Sequence, residues 1–210
     1  MTDWNNKEEV LAVKVGNVLK HASEELRDDK EVVLAAVKQD GNAFEYTSEE
    51  LKKDKEIFDT AKEALIASGF IEPELTPKEF LADKELVLAM LQDSYVYAEI
   101  LEYVFAEDSL KSDRDVVMAA VQTHDCALDL VDKKFQSDRE VVMAALQSDG
   151  TSLQFADEVL RSDREFILEA IEIAVEYPDI DSDVPPFFYY VDEKLKSDRE
   201  VVLAAVKLGF

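Results

Sequence analysis

The dominant feature of this sequence is an internal repeat. An aspartate followed by a basic, an acidic and an apolar residue recurs seven times in 210 residues, at spacings of 25 to 35 residues. A more divergent copy occupies residues 1–28, where SEEL (23–26) corresponds to SEEL (48–51). A period of this length indicates stacked structural units rather than one globular core. The seven aspartates, called the repeat aspartates below, are Asp29, Asp54, Asp83, Asp113, Asp138, Asp163 and Asp198.

Each repeat has the pattern of two short helices. In four copies a serine precedes the aspartate and an acid follows three residues later, as in Ser137-x-x-Glu140, which predicts a capping box with serine as the N-cap. Apolar residues then recur at helical spacing, and a glycine near the end predicts a C-cap. A second helix is expected over stretches such as 153–160. The fold class predicted is an all-α helical-repeat array, α-solenoid-like, of about eight short two-helix units of roughly 25–35 residues.

Two positions within the repeat predict how neighbouring units pack. The residue seven places after the repeat aspartate is alanine in every clear copy but one, which has Met90, and small residues there let helices approach closely. The basic residue after the aspartate does not suit a helix N-terminus. We therefore expect it to pair with acids of the adjacent repeat, at Lys30, Lys84, Arg114, Arg139 and Arg164.

The repeat pattern resembles a known family. The motif D-[KR]-E-V-V-[LM]-A-A-[VL]-[KQ]-x-x-G, clearest in the copies at 29, 113, 138 and 198, is similar to the domain-of-unknown-function 4116 repeat. The resemblance implies a helical repeat of the kind found in bacterial and protist proteins, sometimes in secreted effectors of intracellular bacteria. No activity is generally assigned to this repeat, so the resemblance concerns the fold.

The chain is expected to form a single helical-repeat domain over residues 1–210, with irregular repeats at 54–82, 83–112 and 163–197. The last copy has only its first helix and is expected to act as a terminal cap. The three irregular repeats carry net charges of −4, −5 and −7, or 16 of the 25 net negative charges. Because insertions in repeat proteins often form binding surfaces, the acidity marks a candidate interface.

Composition narrows the possible functions. The net charge of −25 disfavours direct binding to nucleic acid or to an anionic membrane surface. The 47% hydrophobic content is sufficient for a folded core. The sequence has no evident leader or membrane segment and one cysteine, which favours a cytoplasmic protein. We expect no cofactor, no metal and no catalytic residue.

Two local motifs suggest chemistry only weakly. Asp179, Asp181 and Asp183 begin like a calcium-binding loop, but Val184 stands where glycine is required and Tyr190 where a glutamate ligand is required. An exposed acidic loop is the simpler interpretation. In the run 124–126, histidine, aspartate and cysteine are adjacent, and adjacent side chains do not form a catalytic triad.

The candidate partner-binding surface combines aromatic and acidic residues of the irregular repeats. Aromatic rings among carboxylates suit an interface anchored by the rings and steered by charge. The candidate residues are Tyr95, Glu99, Glu102, Tyr103, Glu107, Asp108, Glu176, Tyr177, Asp179, Asp181, Asp183, Phe187, Phe188, Tyr189 and Tyr190.

The functional hypothesis is a non-enzymatic protein that binds and inhibits a basic partner, such as a toxin or a nucleic-acid enzyme, in the manner of an immunity protein. A general interaction scaffold or secreted-effector module is the alternative, and its partner need not be basic. A nucleic-acid mimic is a further alternative, because the acidic charge is dense along the expected array. An enzyme is the least favoured class.

Overall fold

The first helix of each repeat begins at the repeat aspartate and is the longest element of that repeat. The computed structural model describes residues 3–12, 18–69, 71, 76–92, 99–106, 108–124, 126–174 and 186–207, and these contain helices and no strand. The all-α fold is therefore confirmed. The chain forms two compact units, Met1–Val96 and Tyr97–Phe210, called the N-terminal and C-terminal halves, each described by itself. The single-domain assignment stays a prediction.

The N-terminal half contains five α-helices among its described residues. They are α1 (Lys7–Ala12), α2 (Glu24–Arg27), α3 (Lys30–Gln39), α4 (Lys55–Ser68) and α5 (Lys84–Gln92). Four 3-10 helices join them, at Val18–Lys20, Gly41–Tyr46, Leu51–Lys53 and Lys78–Phe80.

The C-terminal half contains nine α-helices among its described residues. They are α6 (Glu99–Val104), α7 (Asp108–Lys111), α8 (Arg114–Thr123), α9 (Ala127–Leu130), α10 (Lys133–Gln136), α11 (Arg139–Ser148), α12 (Glu158–Arg161), α13 (Arg164–Ala174) and α14 (Arg199–Lys207). The 3-10 helices are Gly150–Phe155, Pro186–Tyr190 and Leu195–Ser197.

The second part of a repeat is two short helical turns rather than the one helix expected. In residues 150–161, the 3-10 helix Gly150–Phe155 ends before α12 begins at Glu158. Between them Asp157 has non-helical backbone angles, with φ of −59° and ψ of 147°, and its carboxylate accepts the N–H of Val159 at 2.9 Å. This N-cap starts a new helix and so interrupts the expected one.

The N-cap of the first helix is the repeat aspartate, not the serine before it. The Asp138 carboxylate accepts the N–H groups of Glu140 and Val141 at 3.1 and 3.2 Å, while Ser137 ends the preceding helix α10. Asp29, Asp54, Asp113 and Asp198 make the same pair of bonds. A carboxylate in this place satisfies two free N–H groups and complements the helix dipole, so the serine capping box is wrong.

The glycines do not all act as the C-caps expected. Gly69 does, with φ of +63°, and it is the one described residue with a left-handed backbone. Gly41 instead follows the C-cap Asp40 and lies against α4, where an added Cβ would be 2.4 Å from the Ala61 carbonyl oxygen. Glycine is required there for close approach of two segments rather than for its backbone angles.

The first helices of successive repeats pack on one another, and the residues of the alanine column are buried. α3 packs on α4, α4 on α5, α8 on α11, α11 on α13, and α13 on α14. The residues of the column are all buried: Ala36, Ala61, Met90, Ala120, Ala145, Ala170 and Ala205.

The predicted pairing between repeats is confirmed at four of its five basic residues, and three of these, Lys30, Arg114 and Arg164, follow one geometry. Lys30 Nζ lies 2.7 Å from Asp54 Oδ2 and 2.9 Å from Glu56 Oε2. The cation therefore binds the carboxylate that caps the next first helix, together with the acid two residues further on. Arg114 binds Asp138 and Glu140 in the same way, Arg164 binds Asp198 and Glu200, and Arg139 binds Asp163 and Glu169. For Lys84 the pairing stays a prediction.

The irregular repeat at 54–82 keeps this contact by another route. Lys55, which follows the repeat aspartate, pairs with Asp59 of its own helix at 3.1 Å. Lys62, at a position that is aliphatic in the other copies, reaches Asp83 at 3.3 Å and Glu85 at 2.9 Å. In this copy Asp59 pairs with Lys55, and Lys62 takes the place of Lys55 in the contact with the next repeat. The link between the repeats is therefore preserved.

A backbone hydrogen bond reinforces four of the described junctions. The N–H of Asp157, just before α12, donates at 2.8 Å to the carbonyl of Gln136, which ends the last helix of the preceding repeat. The same bond joins the repeats at Ser48 to Arg27, Asp132 to Lys111 and Asp192 to Arg161. Neighbouring repeats are therefore linked at both ends, by charge at the first helix and by backbone at the second segment.

The shared carboxylates make stability depend on pH. The Arg114 guanidinium lowers the pKa of Asp138 below its usual value of 3.8, and Lys7 and Lys30 lower the pKa of Asp29 and Asp54. A carboxylate whose pKa is lower in the folded state stabilises the fold above its unfolded pKa, and that stability is lost as the pH falls through the lowered value. We expect the free energy of unfolding to be higher for wild type than for Asp138→Asn, and this difference to be largest above about pH 5.

Asparagine still caps a helix but cannot titrate, so this variant removes the charge of the cap and keeps its hydrogen-bond acceptor. Denaturant titrations of both proteins between neutral and acidic pH provide the measurement. The difference should shrink below about pH 4. A difference that is independent of pH would contradict the assignment.

Candidate functional site

Six residues of the predicted partner surface are described with their side chains. They are Glu102, Tyr103, Asp108, Phe188, Tyr189 and Tyr190. The side chains of Glu99 and Phe187 lie outside the described part, although their backbones belong to helices. Tyr95, Glu107, Glu176, Tyr177, Asp179, Asp181 and Asp183 lie outside the described residues altogether.

Helix α6 presents one aromatic and one acidic residue to solvent. Leu101 and Val104 are fully buried, which fixes the inner face of the helix. Glu102 and Tyr103 lie between them in sequence and are exposed, Tyr103 to 38%. A short way along the chain, the carboxylate of Asp108 is fully exposed at the start of α7. All three residues are exposed, and their part in binding a partner stays a prediction.

The segment 186–190 holds the most exposed aromatic side chain described. Tyr189 is 65% exposed, while Phe188 and Tyr190 on either side are half-buried. This 3-10 helix packs against Gly150–Phe155. Lys196 Nζ donates to the Tyr189 carbonyl at 2.9 Å and pairs with Glu193 at 2.8 Å. The flanking rings and the lysine therefore hold the backbone of Tyr189 while its ring faces solvent.

An open groove in the C-terminal half was not anticipated from the sequence. It has a volume of about 470 Å³ and runs over α8, α11 and α13. Met118, Met143 and Ala144 provide its apolar lining, and the ion pair of Arg139 with Glu169 lies along it. The Arg139 guanidinium also lies 5.1 Å from the centroid of the Phe166 ring, which fixes the position of this arginine.

A groove at the same repeat position occurs in the N-terminal half. It has a volume of about 490 Å³, lies between α3 and α4, and is lined by Leu34, Ala64 and Ala67 with Lys38 and Glu63. Leu34, Met118 and Met143 all stand five residues after a repeat aspartate and are half-buried. The signal in the sequence was this position itself, which is leucine or methionine in every copy but the one at 54, where it is Asp59, although the helical pattern places it at the edge of the core.

The residues that suggested chemistry form no reactive site among those described. The His124 side chain is buried, and its Nδ1 lies 2.7 Å from Thr123 Oγ1, while Cys126 is exposed. Asp125 and the acidic run 179–183 lie outside the described residues. Within the described part, no group of three metal-ligating side chains could hold an ion, and no helix is long and apolar enough to cross a membrane.

Repeated first helices, joined by a recurring cation–carboxylate contact, define an α-helical repeat protein. A family model described as "Domain of unknown function (DUF4116)" matches residues 11–52, 31–62, 83–136 and 138–177, which together are more than half of the chain. The chain therefore belongs to the DUF4116 family, as its motif indicated. No curated protein and no solved structure matches the chain.

An exposed binding residue should be dispensable for folding. We expect Tyr189→Ser to change the free energy of unfolding by less than about 0.5 kcal/mol, because its ring is mostly in solvent. The matched aromatic control is Phe166→Ala, which empties a fully buried site in α13 and should cost about 3–5 kcal/mol. Denaturant unfolding of both variants measures the effects. A large loss in Tyr189→Ser would assign this tyrosine to the core.

Proposed function

We propose that this protein is a non-enzymatic binder whose acidic, aromatic-containing surface captures a basic partner protein and inhibits it, in the manner of an immunity protein. The observation that carries the proposal is the exposed ring of Tyr189 on a backbone held by Lys196. A tyrosine held in place loses little conformational entropy on binding and contributes a large contact area, so it is suited to anchor an interface.

The charge supports a basic partner. At −25 overall, the protein attracts a cationic protein over a distance of about one Debye length, roughly 8 Å at physiological ionic strength. Such attraction raises association rates and discriminates against acidic competitors. Toxins and enzymes that act on nucleic acids carry basic surfaces, so they are the natural class of partner. Occupation of the partner's basic cleft would inhibit it.

A second candidate function is a general interaction scaffold, and the two grooves favour it. They lie at the same repeat position in both halves and combine apolar side chains with charged or amide groups. A groove of this kind binds partners through apolar contacts and methionine adapts to different shapes. Binding through these grooves requires no basic partner.

The two functions differ in salt dependence and in the residues they need. Partners captured from source lysate should be identified by mass spectrometry, purified, and titrated against wild type at low and high salt. The inhibitor proposal predicts an affinity that falls at least tenfold with added salt. It also predicts a loss of affinity of similar size for a variant that combines Tyr189→Ser with the substitution of Asp179, Asp181 and Asp183 by asparagine. Met143→Glu should leave that affinity within about twofold, because it lies in the groove.

The opposite pattern would contradict the inhibitor proposal. An affinity insensitive to salt and to the acidic and tyrosine substitutions, but lost in Met143→Glu, would assign binding to the groove and favour the scaffold. Inhibition is tested separately, by assaying the purified partner with and without a stoichiometric amount of the protein. A partner that is bound but fully active would leave only the scaffold function.

A further inference from the structure

The outer face of α14 differs from that of the other first helices. Arg199, Val202, Leu203 and Val206 follow one another at spacings of three, one and three residues, which places them on one stripe of the helix. Val206 is 56% exposed and Leu203 38% exposed. Among the described residues, Arg199 has no acid within ion-pair distance. We call these four residues the α14 stripe.

The same stripe is largely covered in the earlier repeats. The residues that correspond to Val206 are between 0 and 4% exposed in five copies: Val37, Leu91, Val121, Leu146 and Ile171. The residues that correspond to Val202, which is half-buried, are fully buried in the same five copies: Val33, Val87, Val117, Val142 and Ile167. The copy at 54 differs, with Lys62 at the first position and a half-buried Phe58 at the second. The stripe of α14 is exposed because, among the described residues, no further first helix packs against it.

Helix α11 shows what the stripe binds. Its corresponding residues are Arg139, Val142, Met143 and Leu146, and the helix that packs beside it is α13. Arg139 lies 3.8 Å from Asp163 Oδ2, the carboxylate at the start of α13, and also pairs with Glu169 one and a half turns further on. On α11 the stripe therefore provides a cation that pairs with the carboxylate at the start of the neighbouring helix. It also provides apolar side chains that can pack against the following turns of that helix.

We propose that the α14 stripe is a docking site for a partner protein that presents a helix opening with an aspartate cap, carrying further acids on its first turns and an apolar stripe. Two observations select this partner. Arg199 supplies the cation that such a cap binds at Arg114, Arg139 and Arg164. The stripe also continues the interface through which α8, α11, α13 and α14 pack in succession.

The exposed stripe is unsuited to the capping role expected from the sequence. A terminal capping repeat presents a polar outer face, because it must meet water. On α14 two aliphatic side chains are exposed beside Arg199, which has no ion-pair partner among the described residues, and a capped helix would cover the former and pair with the latter. This site shares no residue with the acidic, aromatic surface of the proposed function, and it recognises an acidic helix rather than a basic protein.

The test uses a helix that already fits this kind of stripe. The probe is a fluorescently labelled synthetic peptide with the sequence of residues 162–174, SDREFILEAIEIA, cross-linked on its solvent face to hold the helix. We expect fluorescence anisotropy to show saturable binding to the full chain at physiological ionic strength. Arg199→Glu and Val206→Lys should each weaken it at least tenfold.

The controls separate docking from nonspecific effects. Lys194→Glu makes the same kind of charge change as Arg199→Glu at an exposed residue that precedes the helix, and should leave affinity within twofold. A peptide with alanine in place of Asp163 and Glu169 should bind at least tenfold more weakly. Thermal melts of the variants, monitored by circular dichroism, confirm that each is folded, as expected for substitutions at exposed positions.

Three results would overturn the proposal. The first is no saturable binding of the probe to folded wild type. The second is equal binding by wild type, Arg199→Glu and Val206→Lys. The third is a wild-type dimer in sedimentation that Val206→Lys dissociates, which would assign the stripe to a second copy of the chain. None of these results bears on the basic partner, whose binding is measured at the other surface.

Discussion

A single carboxylate at the start of six of the first helices serves two structural purposes. It accepts the N–H groups that the helix leaves free, and it receives the cation of the preceding repeat, as Asp138 does from Glu140, Val141 and Arg114. The helix start and the junction between repeats therefore share one side chain. A helix that frays at its N-terminus also loses its neighbour, which couples local helix formation to stacking.

This double use explains why an exposed ion pair is retained in a chain with so much like charge. An isolated surface pair contributes little, because solvent screens it and its side chains must be ordered. Here the aspartate is already ordered by its backbone bonds, so the cation meets a fixed carboxylate. In the repeat at 54–82, Lys62 instead of Lys55 makes the contact with the next repeat. The same ion pair can therefore form from either of two positions on the first helix.

Much of the fold could be predicted from the sequence because the signals repeat. The alanine column and the partners of Lys30 and Arg114 follow from periodicity and charge. The sequence does not distinguish Ser137 from Asp138 as the N-cap of α11, because the two residues are adjacent and serine and aspartate are about equally favoured as N-caps. The break at Asp157 was missed for a related reason, because the apolar spacing on either side suits a continuous helix.

The surfaces were harder to predict than the core. Repetition identifies what must be buried, but exposure depends on which neighbours pack around a residue. Tyr103 and Tyr189 were expected at a surface because their repeats deviate from the motif, and they are exposed. The grooves at Met118 and Met143 and the α14 stripe have regular motif residues, so only the packing distinguishes them.

The central claim is that the helix cap and the inter-repeat pair act as one unit, and a double-mutant cycle tests it most directly. The free energy of unfolding would be measured for wild type, Arg114→Met, Asp138→Asn and the double variant. If the account is right, the double variant loses clearly less stability than the two single losses added together, because both substitutions break the same contact. Additive losses within experimental error would show that Arg114 and Asp138 act independently and would contradict it.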